Sequence, residues 1–118
     1  MPGNALKIEA EDRGEIKILH LSGPLDSMTY DQLRDRLETL FLHPRSRVVL
    51  DCEHLTYANS RGLTLLIHFY RISAVNLSFL GIAALNARII KSVELLGMDK
   101  LVPLYNSVDA ALADAVRL

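Results

Sequence analysis

The chain has no tryptophan, a single cysteine, four prolines and no long apolar run. One cysteine cannot close an internal disulfide, so Cys52 excludes a disulfide-stapled scaffold and fits a reducing compartment. A membrane-spanning helix needs about 18 consecutive apolar residues, and nothing here approaches that length, so no membrane insertion is expected. No charge of either sign dominates: 13 Lys and Arg stand against 14 Asp and Glu, interspersed along the chain. Without a basic stripe, a direct nucleic-acid partner is not expected. The start, Met1-Pro2-Gly3-Asn4-Ala5-Leu6-Lys7, lacks the basic and apolar regions of a signal peptide, which makes the cytoplasm the expected compartment. Neither a Gly-x-Ser-x-Gly elbow nor a glycine-rich phosphate loop occurs, so the chain is not expected to be an enzyme or to carry a cofactor. Cys52 and His54 form a Cys-x-His pair without the further ligands that zinc requires, and no metal site is expected.

What is present is an ordinary globular balance. Of 118 residues, 50% are apolar and 23% charged, enough for one core and therefore one domain, residues 1–118. Leu6-Lys7-Ile8-Glu9-Ala10 alternates as a half-buried strand does, and residues 11–15 make a polar, glycine-containing turn. Ile16 to Leu21 is a second strand, ended by Ser22-Gly23-Pro24, so the chain opens with an antiparallel pair. A helix follows, capped by Thr29 with Gln32 at capping-box spacing or by Ser27, with an apolar stripe of Tyr30, Leu33, Leu37, Leu40 and Phe41. His43-Pro44 ends it.

Arg47-Val48-Val49-Leu50-Asp51-Cys52 has the near-continuous apolar character of a strand covered on both faces. After a polar stretch, Asn59-Ser60-Arg61-Gly62 opens a helix whose Leu63, Leu66, Ile67, Tyr70 and Val75 face inward. Residues 76–81 read as a short strand. A third helix from Asn86 to Leu96 buries Ile89, Ile90, Val93 and Leu96, with Gly97 just past its end. Leu101 to Tyr105 reads as an edge strand because of Pro103, and Ser107 caps a closing helix. The order ββαβαβαβα predicts an α/β fold, a mixed and mostly parallel sheet of about five strands with about four helices packed on it. Parallel strands would bring Asp26 and Ser60 to one edge, where α/β proteins place their sites.

The hinge Asn59-Ser60-Arg61-Gly62 carries the chemistry. A helix N-terminus leaves about four N–H groups unpaired and a partial positive charge, so a phosphate on Ser60 would be electrostatically tolerated there. As spacing alone, the same residues are equally a plain helix cap. Asp51 reads as a structural carboxylate that satisfies turn N–H groups, and Met28 and Tyr30 as packing residues.

Several dispersed motifs occur in a shared order. They are Leu50-Asp51, Leu55-Thr56-Tyr57, Asn59-Ser60-Arg61-Gly62-Leu63, Gly23-Pro24-Leu25-Asp26, Glu94-Leu95-Leu96-Gly97-Met98 and Ser107-Val108-Asp109-Ala110-Ala111-Leu112. In this the chain resembles STAS domains, the family of bacterial anti-sigma-factor antagonists and of related transporter and lipid-trafficking modules. The resemblance implies a STAS fold, with Ser60 as the phosphorylated position and Asp26, Asn59, Arg61, Gly62 and Leu63 as the partner-binding surface. It further implies an anti-sigma factor with serine kinase activity as partner, a PP2C-type phosphatase that reverses the modification, and a monomer or weak homodimer. Unmodified protein would bind the anti-sigma factor and free the sigma factor; phosphorylated protein would let go. The alternative is a constitutive docking subunit of a lipid-transport ABC complex or another signalling assembly. Two positions depart from the family pattern: Asn59 stands for the usual aspartate, and Arg61 for a small residue.

Overall fold

The computed structural model describes residues 5–118; Met1–Asn4, the start of the stretch read above for a signal peptide, lie outside the described residues. The chain forms β1 (Lys7–Arg13), β2 (Ile16–Leu25), α1 (Tyr30–Leu40), β3 (Arg47–Ala58), α2 (Ser60–Val75), β4 (Phe79–Ala83), α3 (Ala87–Leu95), β5 (Leu104–Tyr105) and α4 (Val108–Ala115). A 3-10 turn, Met98–Lys100, sits between α3 and β5. The sheet order is β1-β2-β3-β4-β5, with β1 antiparallel to β2 and every later pair parallel.

This strand order dictates where the helices go. Each β-helix-β step moves one strand further in the same direction, and right-handed crossovers then place α1, α2 and α3 on one face. They cover it with a core that joins Leu19, Leu21, Val48, Leu50 and Ile82 to Leu33, Leu37, Leu66, Phe69, Ile89 and Val93. The closing α4 crosses to the opposite face, where Ala111 and Ala115 meet Ile16, Ile18, Val49 and Ala83. Tyr105 fastens it by donating its hydroxyl to Asp114 at 2.8 Å. Both faces of β3 are thereby covered around Val48–Leu50, as its unbroken apolar run requires.

Several boundaries differ from the sequence expectation, each for a local reason. β2 does not end at Ser22-Gly23-Pro24. Gly23 takes φ +103°, where an added Cβ would meet the Ala5 carbonyl oxygen at 2.6 Å, and the strand runs on to Leu25 through two register shifts. β3 likewise continues past Cys52 to Ala58, because residues 54–58 pair with this extension of β2. β4 starts at Phe79 and not Asn76: Asn76 ends α2, donating its amide to the Phe41 and His43 carbonyls at 3.0 and 3.2 Å. Val75 is 86% exposed, since it lies about 200° round the helix from the buried Ser73. Leu96 is 51% exposed because α3 ends at Leu95 and the chain turns out toward Gly97. At the start of α1, neither Ser27 nor a Thr29–Gln32 capping box closes the helix. The Asp26 carboxylate accepts from the N–H groups of Met28 and Thr29, the Thr29 hydroxyl points back to the Pro24 carbonyl, and Gln32 donates to the Leu6 carbonyl.

Asp51 does accept a local N–H, from Glu53 at 3.1 Å. Its second oxygen takes up something the spacing did not announce. On the part of the sheet that α4 leaves open, His20 of β2 sets Nδ1 2.7 Å from an Asp51 carboxylate oxygen and Nε2 2.8 Å from a Glu11 carboxylate oxygen. When protonated, the imidazole donates from both ring nitrogens and is a cation that ties three strands together. The Glu11 and Asp51 carboxylates raise the His20 pKa above 6.5, while His20 and then Arg13 hold the Glu11 carboxyl below its ordinary value. A raised folded-state pKa gives stability that is complete below the unfolded value and is lost as pH rises through the folded one. Urea unfolding followed from pH ~6 to ~8.5 should therefore show the wild type losing stability as pH rises, and His20→Ala losing much less across that window. A wild type and variant with parallel pH profiles would exclude the clamp.

Candidate functional site

The C-terminal ends of the parallel strands share one edge, and the register sets what gathers there. Leu25 and Ala58 are cross-strand partners, so Asp26 and Asn59 each follow immediately at neighbouring positions. The Asn59 N–H donates to the Leu25 carbonyl at 3.2 Å and stitches the two chain segments together. Asp26 and Ser60 therefore stand at one edge, as parallel strands require.

Asn59, and not Ser60, is the N-cap of α2. Its side-chain oxygen accepts from the Gly62 N–H at 2.9 Å, and its backbone carbonyl accepts from Leu63 at 3.0 Å. An amide does this as well as a carboxylate, so the cap survives without the negative charge an aspartate would bring. Ser60 is thereby the first helical residue and exposed. Among the described residues its hydroxyl has no hydrogen-bond partner, while its carbonyl accepts from the Thr64 hydroxyl at 2.8 Å.

The other residues at this edge divide into support and surface. Gly62 and Leu63 are buried: they hold the helix start against Leu25 and the core, and offer no side chain to a partner. Gly62 is demanded by space, since a Cβ there would meet the Leu25 carbonyl oxygen at 2.7 Å and Leu25 Cγ at 2.8 Å. Asp26 is half-buried, with one carboxylate oxygen engaged by the Met28 and Thr29 N–H groups. Met28, 87% exposed, projects from the same loop. Arg61 is exposed, and its guanidinium lies 4.2 Å from the centre of the Tyr30 ring on α1. That contact joins residues 31 positions apart on two helices, and no local spacing could have announced it.

Elsewhere the candidates separate. Cys52 is fully buried in the helix-side core, which pushes its thiol up to about 12, whereas His54 is exposed on the extension of β3. They do not converge on a common point. Among the described residues no helix is long and apolar enough to cross a membrane.

Residues 7–111 match the family profile of the STAS domain. The chain belongs to the STAS family. A curated relative, the anti-sigma F factor antagonist of Paenibacillus polymyxa, is 26% identical over 110 residues, covering 92% of this chain and 94% of the relative. Among solved structures, an anti-sigma factor antagonist from Mycobacterium paratuberculosis superposes with a TM-score of 0.84 at 23% identity, covering 94% of each chain. The Bacillus cell fate determinant SpoIIAA, solved in its phosphorylated form, superposes at 0.67 with 16% identity, covering 92% of this chain and 98% of its own. At these identities the structural matches establish the STAS fold: a mixed sheet with one antiparallel pair and four helices.

The spatial demand at Gly62 gives a direct test of how this edge is held. Gly62→Ala forces a methyl group onto the Leu25 backbone and should cost about 1–3 kcal/mol, read as a lower urea midpoint. An unchanged midpoint would mean that the α2 start is not pressed against β2.

Proposed function

We propose that this STAS domain is an anti-sigma-factor antagonist whose binding is switched by phosphorylation of Ser60, and that it works as a binding module without catalytic activity of its own. The observation that carries the reading is an exposed serine with a free hydroxyl at the first position of a helix. It stands at the edge of a STAS fold, beside Asp26. The curated relative's name supports the antagonist role, and the phosphorylated form of a structural neighbour supports a phosphate-bearing STAS domain. The partner is an anti-sigma factor with serine kinase activity, and a PP2C-type phosphatase restores the unmodified form in the cytoplasm.

The physical basis is a contest between two terms. A phosphate adds about −1.5 to −2 charge at pH 7. In the free domain the positive end of α2 offsets only ~0.3–2 kcal/mol of its cost. Arg61 contributes little unless it leaves Tyr30, because successive helical residues point about 100° apart. Against a partner, desolvating the dianion costs several kcal/mol unless paired groups await it. The second term is larger, so phosphorylation releases the partner. A loss of about 3 kcal/mol already weakens binding more than a hundredfold.

Incubation with each anti-sigma kinase of the source genome and ATP, followed by peptide mass mapping, tests the site. Phosphate should appear on the peptide that holds Ser60 and be absent from Ser60→Ala. Label elsewhere, or undiminished label on Ser60→Ala, would remove Ser60 from the switch. Binding without any phosphorylation would favour the constitutive docking subunit.

A further inference from the structure

Two arginines share the Tyr30 ring, and their charges are in opposite situations. Arg34, 5.9 Å from the ring centre, is surrounded by Asp31 at 3.1 Å, Asp35 at 3.0 Å and Glu38 at 4.0 Å. Arg61, closer to the ring at 4.2 Å, takes part in none of the ion pairs of the described residues. Its guanidinium is thus held in place by an aromatic face while its charge stays uncompensated. The ring beneath it is anchored in turn, since Tyr30 is partly buried against the helix-side core.

This matters because stacking leaves the N–H edge of a guanidinium free to bond a carboxylate in a bidentate fashion. A side chain already immobilised loses less entropy on binding than a free one. The surroundings favour an anion as well. Asn59 caps α2 without a charge, and the positive end of the helix dipole lies one residue away. Of the carboxylates on this side, Asp31, Asp35 and Glu38 are engaged by Arg34, and one oxygen of Asp26 on the β2–α1 loop accepts from the Met28 and Thr29 N–H groups.

We propose that Arg61, stacked on Tyr30, is the specificity-determining contact of this docking edge, and that it selects an anti-sigma factor presenting an acidic side chain opposite it. The inference rests on the antagonist reading above. It makes Arg61 an anchor for the partner and not an internal counter-ion for a phosphate on Ser60.

The test uses the unphosphorylated full chain, titrated calorimetrically against each purified anti-sigma factor of the source genome at low and high salt. Wild type should bind one of them with an affinity that falls as salt rises. Arg61→Gln should weaken that binding about tenfold or more, as truncation of a central interface arginine does. Arg61→Glu should weaken it about a hundredfold, because it sets like charges against each other. Arg61→Lys keeps the charge but loses the planar stack and fork, so it should fall between wild type and Arg61→Gln. Tyr30→Phe should bind as wild type does and Tyr30→Leu as Arg61→Lys does, with thermal melting confirming that both fold. Arg71→Gln, an exposed arginine further along α2, serves as the control and should bind as wild type does. Wild-type affinity in Arg61→Gln and Arg61→Glu would overturn the proposal, and wild-type affinity in Arg61→Lys would overturn its stacked geometry. If wild type binds none of the anti-sigma factors, the antagonist reading falls and this inference with it.

Discussion

The structure at the docking edge depends on one close approach, that of Gly62 to Leu25. Strands β2 and β3 outrun the middle of the sheet together, and the start of α2 is pressed onto the end of β2 with no room for a side chain between them. The Asn59 N–H to Leu25 carbonyl bond and the Asn59 cap lock the same junction from the other side. Because Leu25 is fully buried, this junction has no slack. Everything displayed along this edge, from Asp26 and Met28 to Ser60 and Arg61, inherits its position from that contact.

The arrangement of layers explains why the edge is free to be used. Sequential strand order sends three helices to one face, and α4 covers part of the other. Polar groups on the uncovered part of the sheet are paired among themselves, with His20 between Glu11 and Asp51. The helix starts at the sheet edge are left facing outward, and on the proposed reading a single phosphate there would change charge where burial is most costly. A rigid scaffold with a chemically adjustable rim needs no large conformational change to act as a switch.

Much of this was legible in the residues themselves. Element order, the opening antiparallel pair, the inward stripe of α1 and the cap at Ser107 follow from periodicity and capping chemistry. The failures came where tertiary contacts override local signals. Gly23-Pro24 reads as a stop, yet pairing with β3 carries the strand through it. Asn76 reads as the start of a strand, yet its amide is drawn to the carbonyls after α1. Gly62 stands in the partner surface that the resemblance implies, and the close approach to β2 buries it; Leu63 stands there too, but its burial follows the inward stripe of α2. The Tyr30–Arg61 stack and the His20 clamp join segments about 30 residues apart, and no window of sequence contains both partners.

The central claim is that charge placed on Ser60, on an otherwise unaltered domain, dismisses the partner. Its most direct measurement compares affinities for the same anti-sigma factor of unmodified protein and of protein carrying phosphoserine at position 60 at full occupancy. The account predicts an affinity at least about a hundredfold lower for the phosphorylated form, with unchanged circular dichroism and thermal melting behaviour consistent with an intact fold. Equal affinities for the two forms would contradict it.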